Sequence, residues 1–178
     1  MGQGQPTQSR ASNSLLQGAE AEVAAGILPT ALSDQENRMS RFLRFLVVFV
    51  IFFHLVAFIG EVFLWMYPSV HEFSLKRLDV PVDVGLYEQA LILKTLFVNQ
   101  GFYNLFVACG GILGFWMRVN GFKQSGDVLL AYMCLFAVGA GVVLLFTTRA
   151  YIPGVLQSLP ALIALMLMYR NSSSESDV

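Results

Sequence analysis

Four long apolar stretches, separated by short polar segments, dominate the chain from residue 45 onward. They cover about residues 45–67, 97–117, 128–146 and 151–169, and the third and fourth contain no charged side chain. A helix rises about 1.5 Å per residue, so each stretch is long enough to cross the roughly 30 Å hydrocarbon core of a bilayer. A bilayer offers no hydrogen-bond partner to unpaired backbone N–H and C=O groups. The stretches also lack the strict alternation of polar and apolar residues that is typical of membrane β-strands. The pattern therefore predicts an all-α fold, a four-helix transmembrane bundle.

Polar segments flank these stretches and define the domain organisation. Residues 1–40 are rich in Gln, Ser, Ala and Gly, and residues 171–178 are polar, so both are predicted to be disordered tails. Between them lies a four-span membrane domain at 41–170, with an outer loop at 68–94. Apolar residues recur at helical spacing in the second half of this loop. We expect that half to lead into the second span as a short interfacial helix.

Composition and charge exclude several classes of protein. The 178 residues are 56% hydrophobic and only 13% charged, whereas about a quarter of the residues of a soluble domain are charged. A net charge of −1 excludes the basic surface of a nucleic-acid-binding protein. Cys109 and Cys134 lie in separate apolar runs, which excludes a disulfide scaffold and Cys-x-x-Cys redox or zinc motifs.

Lys and Arg residues are unevenly shared between the two sides of the membrane. With four spans, both tails lie on the same side as the short loop 118–126. That side carries more positive residues near the membrane than the opposite side does, namely Arg38, Arg41, Arg44, Arg118, Lys123 and Arg170 against Lys76, Arg77, Lys94 and Arg149. The positive-inside rule therefore predicts that both termini are cytoplasmic.

Two small-residue patterns predict close helix packing. The second span contains Gly110-x-x-x-Gly114, and the third contains Ala137-x-x-x-Gly141. Small residues four apart let helix backbones approach each other inside a bilayer, where no hydrophobic force drives helices together. We interpret both patterns as packing within the bundle and not as evidence of a dimer.

Polar residues within the first span indicate a candidate site. Seven residues advance a helix by about 700°, so His54 and Glu61 lie only about 20° apart on one face. Trp65 is expected one turn beyond Glu61 on that face. A charged group at the membrane centre costs at least about 2.5 kcal/mol, so the Glu61 carboxyl must face protein or water and find a partner.

Polar residues of two other spans are predicted to reach the depth of Glu61. Asn99, Gln100, Tyr103 and Asn104 begin the second span, and Gln157 lies early in the fourth. A shared polar pocket in the outer half of the bundle follows from this placement. We predict that Glu61 and His54 are catalytic, and that the substrate-binding residues are Gln100, Tyr103, Asn104, Gln157, Trp65 and Asn99.

Each of these residues also has a structural interpretation. Asn and Gln in membrane helices often only bridge neighbouring helices, for about 0.6 kcal/mol. A single buried histidine can be a satisfied core residue, and Trp65 fits an interface anchor better than a substrate platform. A set that includes both a Glu and a His on one face favours function.

The order of these motifs resembles a known family. The run His54-x6-Glu61-x3-Trp65, then Asn99-Gln100-Gly-Phe-Tyr103-Asn104, then Gln157-Ser-Leu-Pro160, is similar to small four-span membrane proteins grouped as a domain of unknown function. The resemblance covers about residues 45–169. It implies the four-helix fold and points to the same polar residues, but it implies no reaction.

Three classes of function fit this picture. The first is an intramembrane enzyme doing isomerase-like or cyclase-like acid–base chemistry on a lipid-soluble substrate. The second is a proton-coupled transporter of small solutes, and the third a noncatalytic subunit of a membrane complex. The expected partners are the lipid bilayer, a lipid-soluble small molecule and, as an open alternative, further copies of the chain, but no nucleic acid.

No metal and no cofactor is expected. His54 and Glu61 are about 10 Å apart along one helix, too far to share an ion directly. The Glu-x-x-His spacing of di-metal bundles is absent from the sequence, as are the glycine-rich nucleotide-binding motifs.

Overall fold

A computed structural model of the chain describes residues 39–77, 83–148 and 150–176, with side chains up to residue 171. The predicted disordered tail at 1–40 therefore lies outside the described residues except for its last two. The described residues form five helices: α1 (Arg41–Val62), α2 (Pro68–Leu75), α3 (Leu86–Val119), α4 (Lys123–Thr147) and α5 (Tyr151–Ser176).

Four of these helices are long and apolar enough to cross a membrane. They are α1, α3, α4 and the segment Tyr151–Asn171 of α5. Helix α1 packs against α3 and α5, α3 packs against α4, and α4 packs against α5. The predicted all-α, four-helix transmembrane bundle is confirmed, and the protein is an integral multi-pass membrane protein.

The helix ends differ from the predicted spans at several places. Helix α1 ends at Val62, not near residue 67. Tyr67 precedes Pro68 and is held in an extended conformation with φ −75° and ψ 132°, so no helix continues through it. Helix α3 starts at Leu86, so most of the second half of the predicted loop is part of one continuous helix. Helix α5 continues to Ser176, beyond the predicted start of the C-terminal tail at 171.

Small residues set the distances between neighbouring helices. A Cβ atom added at Gly141 would lie 2.8 Å from the Gly154 carbonyl oxygen, and one added at Gly126 would lie 2.6 Å from the Gly114 carbonyl oxygen. Both positions are too close for any side chain. Gly114 and Gly141 therefore pack inside the bundle, as the sequence predicts, whereas a Cβ at Gly110 would meet nothing within 4 Å.

A compact aromatic cluster covers the membrane side on which α1 ends and α3 begins. We call it the cap: it consists of residues 63–67, α2 and the first three turns of α3. Trp65, Leu75 and Ala90 are buried at its centre, and Met66, Leu86, Leu93 and Phe97 pack around them. The Trp65 indole Nε1 donates a hydrogen bond of 2.8 Å to the Ala90 carbonyl oxygen, and its ring stacks on Phe97 with 3.5 Å between centroids.

Candidate functional site

A carboxyl–amide pair joins α1 to α3 below the cap. Asn104 is 6% exposed, and its Nδ2 donates a hydrogen bond of 2.8 Å to Oε2 of the half-buried Glu61. Gly101 allows the close approach, because a Cβ there would lie 3.2 Å from the Glu61 Cβ and 3.4 Å from the Phe58 carbonyl oxygen. The expected partner of the Glu61 carboxyl is thus an amide of the second span.

His54 lies deeper in the same bundle and is fully buried. Its Nδ1 donates a hydrogen bond of 2.8 Å to the Val50 carbonyl oxygen one turn earlier in α1. Its Nε2 has no hydrogen-bond partner among the residues that the structure describes. A buried polar atom without a partner costs about 1–3 kcal/mol, so this nitrogen calls for an explanation.

His54 and Glu61 do not form a directly bonded pair. Seven residues of helix separate them by about 10 Å, and each bonds to a different group, Val50 and Asn104 respectively. Gln157 is buried on α5, with 9% of its surface exposed. Glu61, Asn104, His54 and Gln157 are therefore the predicted site residues that are buried or half-buried in the membrane part of the bundle.

Three other predicted site residues lie at the surface of α3. Asn99 and Gln100 are exposed, and Tyr103 is 52% exposed. Gln100 and Tyr103 are three residues apart, and Asn104 follows Gln100 by four, so the three share one side of the helix. Only Asn104 turns toward α1, because the polar arc lies at the edge of the buried face and not at its centre.

The position expected for Trp65 is corrected by the structure. An uninterrupted helix would place Trp65 on the face of His54 and Glu61, but α1 ends at Val62 and the chain turns. Trp65 is buried in the cap with 2% of its surface exposed, and Phe97 covers its ring. The ring is therefore packed inside the protein. An interface anchor would instead be exposed to the lipid headgroups.

Sequence reasoning overlooked a second buried histidine. His71 in α2 is 2% exposed, its Nδ1 donates a 3.1 Å hydrogen bond to the Trp65 carbonyl oxygen, and its ring lies 6.5 Å from that of Tyr87. The available signal was Pro68 at the start of a helix, with His71 and Leu75 four residues apart on one face. Assigning the first half of 68–94 only to an outer loop hid this signal.

Metal binding is not indicated by the geometry of the described residues. No three His, Cys, Asp or Glu side chains among them lie close enough together to hold an ion. The chemistry that the arrangement offers is proton exchange at the Glu61 carboxyl and hydrogen bonding by amide, imidazole and phenol groups.

Comparison with known proteins identifies the family of the chain. No curated protein and no solved structure matches it. A family model described as "Protein of unknown function (DUF1304)" matches residues 48–169, from within α1 to within α5. This confirms the resemblance to a family of unknown function, and it includes all of the predicted site residues. Because the match covers well over half of the sequence, the chain belongs to the DUF1304 family.

Proposed function

We propose that the protein is an intramembrane enzyme that performs acid–base chemistry, of the isomerase or cyclase type, on a lipid-soluble substrate. The hydrogen bond from Asn104 to Glu61 carries the proposal. It orients the carboxyl through Oε2, and Oε1 has no recorded partner among the described residues. A carboxyl oriented in this way can exchange a proton with a substrate atom in the bundle.

An isomerisation requires only proton movement. One substrate atom gains a proton from Glu61, and another substrate atom loses one, so atoms and charge balance without an oxidant, a reductant or a second substrate. Removing the second proton requires a base. His54 is our candidate partner, because its Nδ1–H is committed to Val50 and its Nε2 retains a free lone pair. The 10 Å or so between the two residues requires a bridging group, such as a water molecule or the substrate itself.

The remaining predicted residues would hold the substrate. Gln100, Asn99 and Tyr103 are exposed on α3 beside Asn104, where they can bind a polar head that approaches Glu61. Gln157 supplies a buried amide from α5. In this proposal Trp65 contacts the substrate least, since its role in the cap is to exclude water from the site.

The membrane orientation also remains a proposal. Arg41 and Arg44 begin α1, and Arg118 ends α3 on the same side of the membrane. The positive-inside rule would place that side, and with it both termini, in the cytoplasm. The cap and the Glu61 site would then lie on or near the opposite face.

The enzyme proposal is tested by lipid turnover. Proteoliposomes that contain wild-type protein would be incubated with a total membrane lipid extract, and the products identified by mass spectrometry. Glu61→Gln preserves an acceptor for Asn104 but removes the acidic proton, so turnover should fall by about 100-fold or more, the usual contribution of a general acid or base. The matched control is Glu88→Gln, which changes an exposed carboxyl at the start of α3.

Each result separates the proposed classes of function. Loss of turnover in Glu61→Gln with retention in Glu88→Gln supports the enzyme. Turnover of the wild-type kind in folded Glu61→Gln contradicts it. If no lipid changes but solute uptake depends on Glu61, a transporter is favoured. If Glu61→Gln lowers only stability or the recovery of a bound partner protein, a noncatalytic subunit is favoured.

A further inference from the structure

A large cavity opens between α3 and α4 within the membrane-spanning part of the bundle. Its volume is about 540 Å³, which falls within the roughly 300–1,000 Å³ of small-molecule sites. Residues of both helices line it, including Tyr103, Phe106 and Gly110 of α3 and Tyr132, Met133 and Phe136 of α4. Phe106 and Tyr132 are 64% and 67% exposed, so the cavity is a groove that faces the lipid.

The chemistry of the lining selects hydrocarbon. No charged residue lines the groove, and its two phenols, from Tyr103 and Tyr132, are its only polar side chains. Because both helices span the bilayer, the surrounding medium is itself hydrocarbon. Gly110 leaves room at the bottom of the groove, since a Cβ there would meet nothing within 4 Å.

Two residues of the groove lining lie next to elements of the candidate site. Tyr103 borders the groove, and it shares one side of α3 with Gln100, which lies one turn from Asn104. Met133 lines the groove, and its side chain lies against Gly111 of α3, as does the side chain of Ile51. Ile51 is three residues before His54 in α1. The groove therefore shares one turn of α3 with the carboxyl–amide pair, and its Met133 wall lies beside the part of α1 that precedes His54.

We propose that this groove binds the hydrocarbon chain of a neutral lipid that enters sideways from the bilayer, with its polar end at Tyr103 and Gln100. The claim that this lipid is the substrate rests on the proposed function, whereas the claim that it binds does not. A neutral lipid fits because neither the groove lining nor its polar end at Tyr103 and Gln100 carries a charge to hold a phosphate head.

The experiment uses the full chain in phosphatidylcholine nanodiscs. A diacylglycerol that carries a diazirine in one acyl chain is added at low mole fraction, photolysed, and the adducts are mapped on peptides by mass spectrometry. We expect adducts concentrated on the groove residues of α3 and α4. Excess unlabelled diacylglycerol should compete, whereas phosphatidylcholine, which is already in excess, should not.

Gly110→Phe tests the site directly, because its Cβ would meet nothing within 4 Å and its ring would then occupy the groove. Labelling of the groove should fall by about tenfold, which corresponds to a tenfold weaker affinity for the lipid. Gly139→Phe is the matched control, since it adds the same ring at another open glycine, on α4 outside the groove lining. If Gly110→Phe lowers the melting temperature, Gly110→Leu repeats the test with a smaller side chain.

Several results would overturn the proposal. Equal labelling of all lipid-facing surfaces would identify ordinary bilayer contact, and labelling unchanged in folded Gly110→Phe would place the lipid elsewhere. Labelling equal with a diazirine-bearing phosphatidylcholine would contradict selection of a neutral lipid. If Gly110→Phe converts a dimer to a monomer, the occupant of the groove is a second copy of the chain.

The fate of the proposed function is measured separately. Glu61→Gln should keep the groove labelling and lose lipid turnover. Groove labelling together with turnover that survives Glu61→Gln would reject the enzyme and retain the binding site. Turnover that depends on Glu61, without preferential labelling of the groove, would reject the binding site alone.

Discussion

Two pairs of helices hold this bundle together in different ways. Helices α4 and α5 meet along a seam of small residues, where a Cβ added at Gly141 would lie 2.8 Å from both the Gly154 carbonyl oxygen and the Ser158 Cβ. Helices α1 and α3 also approach closely, at Gly101, but they are joined in addition by the bond from Asn104 to Glu61, and the unpaired His54 Nε2 lies deeper on α1. The first contact depends on shape alone, and the second adds a polar contact to close packing.

The difference bears on the proposed function. A small-residue seam stabilises a membrane bundle through close van der Waals contact and requires no buried polar group. A carboxyl and an unpaired imidazole in the membrane both cost free energy, so stability alone does not explain them. We therefore interpret the α4–α5 seam as scaffold, and the proposed function places its acid–base chemistry at the Glu61–Asn104 contact.

The largest expected effect concerns the cap, which extends the α1–α3 pair beyond the membrane part. Trp65→Ala removes the bond to the Ala90 carbonyl and the stack on Phe97. Truncation of a buried Trp costs about 3–5 kcal/mol in soluble cores, and we expect a loss of unfolding free energy of that size. Denaturant titration in micelles, followed by circular dichroism, measures it.

Trp116→Ala is the control, because Trp116 lies on α3 with 55% of its surface exposed. It should change the unfolding free energy far less. Equal effects of the two substitutions would show that the cap adds little to the stability of the α1–α3 pair. The bond from Asn104 to Glu61 would then contribute a larger share of the unfolding free energy than we infer.

The second effect tests the α4–α5 seam. Gly141→Val forces Cβ and both methyl groups against Gly154 and Ser158, and overpacking of this kind costs about 1–3 kcal/mol. Gly139→Val introduces the same side chain two residues away, where nothing lies within 4 Å. Thermal unfolding of both variants measures the difference. Similar melting temperatures would mean that α4 and α5 separate easily and that the seam is not a rigid scaffold.

The fold could be predicted from the sequence, because hydropathy alone reports membrane spans. The helix ends were harder for two physical reasons. Residues 63–67 are apolar, yet they leave α1 to form the cap, and only Pro68 signals the break. The start of α3 carries Glu88 and Lys94, so hydropathy began the second span near residue 97, although the helical spacing of the loop predicted the helix that precedes it.

The sequence could predict how deep in the membrane the site residues lie, but not toward which neighbouring helix each side chain points. The spacing along the spans correctly brought the Glu61 carboxyl to an amide of the second span, Asn104. It could not show that Gln100 turns away from α1, because azimuth depends on how the helices pack. The predicted position of Trp65 was wrong for another reason. The prediction extended the helical spacing to residue 65, but α1 ends at Val62.

A smaller effect measures the polar contact itself. A double-mutant cycle of Glu61→Ala and Asn104→Ala isolates the coupling between the two side chains from their separate contributions. Polar contacts between membrane helices average about 0.6 kcal/mol in such cycles, and we expect a coupling of that size. The unfolding free energies of the four proteins give the value. A coupling of several kcal/mol would show that this contact serves mainly to stabilise the bundle. It would then not differ in role from the α4–α5 seam.

The smallest effect lies on the exposed surface of the cap. Lys76 Nζ lies 2.6 Å from Glu72 Oε2, and this hydrogen bond, together with the charge of Lys76, lowers the pKa of the Glu72 carboxyl. A carboxyl whose pKa is lowered on folding stabilises the folded state above its unfolded-state pKa. That contribution is lost as the pH falls through the lowered value. Because Lys76 is exposed and Glu72 is partly exposed, we expect only a slight decrease in melting temperature in mildly acidic buffer, and less still at high salt.

Glu72→Gln should remove this part of the pH dependence, whereas Glu88→Gln, an exposed carboxyl at the start of α3, should retain it. Melting curves of the three proteins between neutral and acidic pH provide the test. If Glu72→Gln lowers the melting temperature at neutral pH as much as Gly141→Val does, the ion pair stabilises α2 on the bundle to the same degree as the seam. The stability of the α1–α3 side would then depend on its surface charges as well as on its buried aromatic cluster.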